Sequence, residues 1–117
     1  MDDRDAVHRV VLDYFEGWFD GDMKRMDRAL HENLVKRWPG TGAAELPLLT
    51  KTRMLEMTGH GDGAKYRGDG RLDVNVVDVH RDIANVIVLA GVYHEYLQLV
   101  RTEEGWKIVN ALWAYEQ

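Results

Sequence analysis

Glu95 is the residue of this chain best placed to do chemistry. Tyr93, Glu95, Leu97 and Leu99 alternate along an apolar stretch, and a period of two puts all four on one face of a strand, where the leucines demand an interior. A carboxylate among apolar neighbours must find a hydrogen-bond donor or have its pKa raised above the usual value of about 4.3. Raised, it suits general acid–base work near neutral pH. Satisfied, it bonds Tyr14, Trp38 or Lys107 and holds the shape of its surroundings. His31, at the end of a helix, is a second base of the right kind, with an unperturbed pKa of about 6.5, although an imidazole there also serves as a helix C-cap. His60, within Gly59-His60-Gly61-Asp62-Gly63, lies on a segment that either folds over a ligand as a lid or forms a solvated turn. Lys36 and Arg37 are adjacent on a short strand, so at most one of them faces inward as a cation for an acidic ligand.

Other chemistries are excluded by residue type. The chain contains no serine and no cysteine, which removes acyl-enzyme nucleophiles, thiolate metal sites, iron–sulfur clusters and disulfides together. His94 and Glu95 point to opposite faces of one strand, and there is no His-x-x-x-His or paired-carboxylate motif, so no metal site and no cofactor are expected. The glycine-rich segment has neither the spacing of a dinucleotide fingerprint nor the Lys-Ser/Thr of a phosphate loop. With 15 Lys and Arg against 20 Asp and Glu, a net charge of -5 and no long basic run, neither nucleic acid nor an anionic membrane is an expected partner. No apolar stretch is long enough for a signal peptide or a membrane span, so the expected location is the cytoplasm.

The elements that must position these groups follow from periodicity. At 117 residues, with 45% hydrophobic and 30% charged, residues 1–117 make one domain with one core. Val7, Val11, Tyr14 and Trp18 recur at helical spacing from Asp3 to Asp20, with Asp2 and Asp3 at the positive end and Gly21 as the stop. Asp22 caps a second helix running to about His31. Leu34 to Trp38 reads as a short strand closed by Pro39-Gly40, and a loop through Thr41, Gly42, Ala43 and Ala44 follows. Thr50 caps a third helix carrying Met54 and Met57. Leu72 to Val79, Ile83 to Leu89, Val92 to Arg101 and Trp106 to Tyr115 read as strands joined by tight turns, an antiparallel meander, and helices followed by hairpins define an α+β fold. The strand centred on Asn85-Val86-Ile87-Val88-Leu89 is apolar on both faces, so its outer face calls for a cover, and a second copy of the chain is the expected one.

This order of elements resembles the nuclear transport factor 2-like (NTF2-like, SnoaL-like) cone. The motifs carrying the likeness are Tyr14-Phe15-Glu16-Gly17-Trp18 with Gly21-Asp22, Ala29-Leu30-His31 with Lys36-Arg37, Glu95-Tyr96-Leu97-Gln98-Leu99, and Gly105-Trp106-Lys107-Ile108-Val109-Asn110. Together they are similar to the branch called putative lumazine-binding, with Glu32 where proline is common and Glu95 where aspartate is. The resemblance implies an apolar pocket between three helices and a curved antiparallel sheet, lined by Tyr14, Trp18, Trp38, Met54, Met57, His60, Tyr93, Glu95, Leu97 and Trp113. It implies that the Trp113 face of the last strand turns to the pocket and the Trp106 face to a partner copy. It also implies an oxyanion donor at Tyr14, eight residues before Asp22. The base and second acid of the family's isomerases fall at Trp38 and near Leu97, which serve neither role, so isomerase chemistry is not expected.

Three functions are compatible with these residues. The first is a binding protein for a small, flat aromatic or heterocyclic ligand, assembled as a homodimer through the outer sheet face. The second is a cofactor-independent cyclase, dehydratase or hydrolase in which Glu95 or His31 moves a proton and Tyr14 stabilises the oxyanion. The third is a protein-interaction scaffold.

Overall fold

In the computed structural model, which describes residues 2–40, 42, 44 and 46–117, the Asp2 carboxylate accepts from the Asp5 backbone N–H at 2.8 Å and opens helix α1 (Asp3–Asp20). Val7, Val11, Tyr14, Phe15, Trp18 and Phe19 form its buried stripe, and Gly21 ends it in the left-handed conformation at φ 69°. The Asp22 carboxylate then accepts from two backbone N–H groups and starts helix α2 (Met23–Ala29).

The chain leaves α2 directly as strand β1 (Leu30–Arg37). The strand therefore begins four residues earlier than its Leu34 to Trp38 expectation, and His31 lies in it, not at a helix end. The reason is local: Leu30 is already extended and is registered against Ile108, so sheet pairing takes over as soon as the Met26 and Ala29 face is buried. Thr41 and Ala43, part of the expected loop, lie outside the described residues. A two-residue strand β2 (Leu48–Leu49) pairs with β1, and Thr50 caps helix α3 (Lys51–Gly59) through the Arg53 N–H.

A short 3-10 turn at Ala64–Tyr66 leads to strands β3 (Leu72–His80), β4 (Ile83–Ala90), β5 (Tyr93–Thr102) and β6 (Gly105–Tyr115). The sheet order is β2-β1-β6-β5-β4-β3. The meander from β3 to β6 is antiparallel as expected, but β1 joins β6 in parallel, which makes the sheet mixed. A parallel partner follows because α3 and the meander separate the two strands in sequence, leaving no hairpin to set an antiparallel sense.

Register breaks in the β1–β6, β3–β4 and β5–β6 pairs bend the sheet around the helices. The β5–β6 break overturns one expectation. Leu99 pairs Ile108 while Gln98 pairs Asn110, so Val109 is an extra residue and the side-chain alternation of β6 reverses there. Trp106 and Ile108 consequently face the core with Ala111 and Trp113, and Trp106 is buried where a partner-facing position was expected. Plain alternation along β6 cannot reveal such a bulge.

The glycine-rich segment after α3 is docked. A Cβ on Gly63 would lie 2.3 Å from the Trp18 carbonyl oxygen and 2.7 Å from its indole, at an ordinary negative φ. Glycine is required here for close approach of two backbones. Gly63→Ala is expected to cost about 2 kcal/mol, lowering Tm on the order of 10 °C in a thermal melt followed by circular dichroism.

Candidate functional site

The interior side chains of β1, β5 and β6 meet the buried stripe of α1, and the meeting point is polar. The Tyr14 hydroxyl from α1 donates to Glu95 Oε1 from β5, and Lys36 Nζ from β1 donates to the same hydroxyl. Lys36 Nζ also lies 3.3 Å from Glu95 Oε1, closing a three-membered cluster of one cation, one anion and one phenol. Glu95 is 1% exposed and Tyr14 2%, so the cluster is shut away from solvent. Alternation on β1 places Leu34 and Lys36 inward and Arg37 outward, which settles which member of the basic pair turns in.

A buried charge is tolerated only when paired and hydrogen-bonded, and each member of this cluster is. Burial pushes the Lys36 ammonium below the ordinary lysine value, against the opposing pull of Glu95. Burial, reinforced by the neighbouring Glu95 charge, holds the Tyr14 phenol well above its ordinary value, so Tyr14 remains a proton-bearing donor through the physiological range. Glu95 thus meets its donors in Tyr14 and Lys36. Lys107 instead donates to the Arg28 carbonyl at 2.8 Å.

Above this cluster lie stacked rings. Trp38, just beyond β1, stacks on Trp113 with centroids 5.2 Å apart and planes 10° from parallel. The Lys36 ammonium sits 5.6 Å from the Trp113 ring and 4.9 Å from the Tyr14 ring, within cation–π range. Tyr93 packs edge-on against Trp113 and accepts a 2.9 Å hydrogen bond from the Trp18 indole, and burial raises its phenol pKa. Tyr66 and Tyr115 extend the aromatic set. The Trp113 indole N–H is buried with no hydrogen-bond partner among the described residues.

Tyr14, Trp18, Trp38, Tyr93, Glu95 and Trp113 are therefore brought together. Leu97 and Met54 are fully buried in the surrounding core, and Met57 is half-buried against it. His31 stands apart from the cluster's hydrogen bonds, its Nδ1 accepting from the Asn33 backbone N–H at 3.0 Å. His60 is exposed just after α3. The residue missing from the expected site is Lys36 as the partner of Glu95. Its signal was available, because Leu34, Lys36 and Trp38 share one strand face, but the ion pair spans β1 and β5 and has no sequence spacing to announce it.

Five clefts open on the surface of the described residues, and none of these five is lined by Tyr14, Lys36 or Glu95. One, of about 500 Å³, borders Trp113 and Tyr115 with Pro39, Leu46 and Tyr96. Among the described residues no group of three or more His, Asp or Glu is placed to hold a metal ion, and no helix is long and apolar enough to cross a membrane.

Three helices against a bent sheet, with aromatics and a polar cluster between the layers, define an NTF2-like α+β protein. The chain belongs to the family described as Putative lumazine-binding, which matches residues 2–114. Among solved structures it is similar to an NTF2-like protein of unknown function from Silicibacter pomeroyi DSS-3, with 19% identity, a TM-score of 0.73, and coverage of 97% of this chain and 95% of that one. An NTF2-like protein from Cytophaga hutchinsonii ATCC 33406 aligns at 14% identity and TM-score 0.70, over 98% of this chain and 99% of the other. A third, an NTF2-like protein of unknown function in nutrient uptake from Rhodospirillum rubrum ATCC 11170, aligns at 20% identity and TM-score 0.67 over 100% of both chains. At these identities the likeness establishes the fold. No curated protein matches the chain.

Proposed function

We propose that this protein binds a small, flat aromatic or heterocyclic molecule at its Trp38–Trp113 end, with Lys36, Tyr14 and Glu95 as the polar floor. The observation that carries this reading is the buried Trp113 indole N–H, without a partner among the described residues, on a ring that stacks against Trp38 and lies beside a buried cation. A flat ligand slides against or between stacked rings with little loss of contact, and a ring carbonyl or ring nitrogen gives the orphaned donor its acceptor. The family description names a lumazine, a ligand of this shape and polarity.

Native mass spectrometry of freshly purified protein, followed by titration of tryptophan fluorescence with a lumazine, tests the reading. Saturable quenching is expected, and Trp113→Phe should abolish most of it. Lys36→Met, made together with Glu95→Gln so that no charge is stranded, should weaken binding at least about tenfold, the value of one charge-assisted hydrogen bond. No response to lumazines or other flat heterocycles, or a response indifferent to both variants, overturns it.

Acid–base catalysis is the second reading, favoured by the proximity of the Tyr14 phenol to the Glu95 carboxylate; to hold an oxyanion, Tyr14 turns its single O–H from Glu95 to the substrate oxygen. Here Glu95 moves the proton and Tyr14 holds the oxyanion, with His31 reaching the site only if β1 shifts. Turnover of the bound molecule, lost in Glu95→Gln while binding persists, separates catalysis from binding.

The same reading assembles two copies through the outer sheet face. Ile83, Ile87, Val77, Tyr96 and Leu112 all stand exposed on that side and border a groove of about 750 Å³ or its margin. An apolar face of this extent on a sheet whose other side is already packed suits a self-associating surface.

A further inference from the structure

Across the middle of the outer sheet face runs a polar row. Asn85, Gln98 and Asn110 are direct register partners on β4, β5 and β6, and all three are exposed. Their side chains are hydrogen-bonded in sequence, Asn110 Nδ2 to Gln98 Oε1 at 2.9 Å and Gln98 Nε2 to Asn85 Oδ1 at 3.1 Å. Hydrogen-bond direction is thus uniform along the row. Among the described residues, one end offers the open Asn85 amide nitrogen and the other the open Asn110 carbonyl oxygen. The next row along the strands is wholly apolar: Ile87, Tyr96 and Leu112, also direct partners and also exposed.

The geometry points to this amide row as the element that selects the two-fold axis of the homodimer, running along β5 through Gln98. The inference rests on the two-copy reading above and adds its orientation. Two sheets face to face are related by an axis lying in the plane between them, and two simple settings exist. An axis along β5 reverses the row in the partner, so Asn85 faces the partner subunit's Asn110 and each open donor meets an open acceptor. The same operation keeps the apolar row on itself, with Tyr96 over the partner's Tyr96 and Ile87 over the partner's Leu112. An axis along the row sets Asn85 on the partner's Asn85, donor against donor. It also carries the apolar row away from its counterpart, toward the far side of the amides. Only the first setting satisfies both rows. Reversing the assigned orientation of all three amides reverses the row and leaves the choice of axis unchanged. Buried polar residues that set register in an otherwise apolar interface act in the same way.

A chain without cysteine makes the test direct, since any introduced thiol is the sole thiol. Packed sheets lie about 10 Å apart and neighbouring strands about 4.8 Å, so the first setting brings Asn85 within about 10 Å of the partner's Asn110 but leaves Asn85 about 14 Å from the partner's Asn85. Asn85→Cys and Asn110→Cys chains, co-expressed and treated with a short bis-maleimide, should give a cross-linked dimer that neither variant gives alone, and Gln98→Cys should cross-link by itself. Self-cross-linking of Asn85→Cys overturns the axis. Light scattering on the unmodified protein separates this from failure of the underlying reading: a monomer removes the dimer itself. A dimer that cross-links at none of the three positions uses another surface and overturns both.

Discussion

Glu95→Gln is expected to cost about 3 kcal/mol of stability at neutral pH, although the side chain keeps its shape and one of its acceptors. The loss arises in Lys36, whose ammonium is buried and has Glu95 as its ion-pair partner. Breaking one half of a buried pair strands the other charge, which is costlier than removing both. Lys36→Met in the Glu95→Gln background should therefore return most of the loss, so that the double variant is more stable than the Glu95→Gln single. Urea titrations of wild type, both singles and the double form the cycle that measures the coupling. Additivity would show that the two charges do not depend on one another.

The pH dependence carries a sign that distinguishes this cause from simple loss of packing. Burial already lowers the Lys36 pKa in the folded state relative to the unfolded chain. A lysine lowered in this way binds fewer protons folded than unfolded between its two pKa values, so its contribution makes stability rise with pH across that window. Removing the Glu95 charge lowers the folded value further and widens the window downward. The deficit of Glu95→Gln should accordingly be largest at mildly acidic and neutral pH and shrink as pH rises to the lowered Lys36 value of the folded wild type, since the unfolded lysine is common to both chains and cancels. A deficit independent of pH would assign the loss to altered packing.

The parts of this molecule written in local pattern are the parts that could be read from the sequence. Caps at Asp2, Asp22 and Thr50 and the stop at Gly21 depend on residues within one turn of the helix they bound, and each stands where the residue types put it. The four long strands follow from turns whose residues are contiguous. The inward face of β5, with Glu95 between Tyr93 and Leu97, follows from alternation alone because β5 itself carries no extra residue before Leu99. What could not be read lies between distant elements. The bulge at Val109 is defined by two strands and reverses the exposure of Trp106 and Ile108. The parallel β1–β6 pair gives Lys36 its place near β5, and so turns one residue of a basic dipeptide into the counter-ion of Glu95.

If the chain assembles through its outer sheet face as proposed, Tyr96→Asp should convert that dimer to a monomer while leaving the fold intact. Tyr96 is 51% exposed on β5, at the centre of the apolar row and next to the amide row, and its ring packs edge-on against the neighbouring His94. In an isolated chain an exposed tyrosine on a sheet face contributes little, and surface substitutions usually change stability by no more than about 0.5 kcal/mol. In the proposed two-copy assembly the same position lies on the proposed axis, so one substitution would place two carboxylates against each other in a desolvated interface. Like charges so placed cost several kcal/mol, which corresponds to a loss of two to three orders of magnitude in dimer affinity. Sedimentation or light scattering across a dilution series gives the dissociation constant, and circular dichroism reports whether the fold survives. A folded variant that stays dimeric would move the interface away from β5; an unfolded one would mean that the exposed face is needed to hold the monomer together. Ile83→Asp supplies the contrast, because Ile83 is exposed on β4, off the proposed axis, where it would face a different residue of the partner copy. A charge there meets no copy of itself, so Ile83→Asp should weaken the dimer much less than Tyr96→Asp, and equal effects would argue that no axis passes near β5.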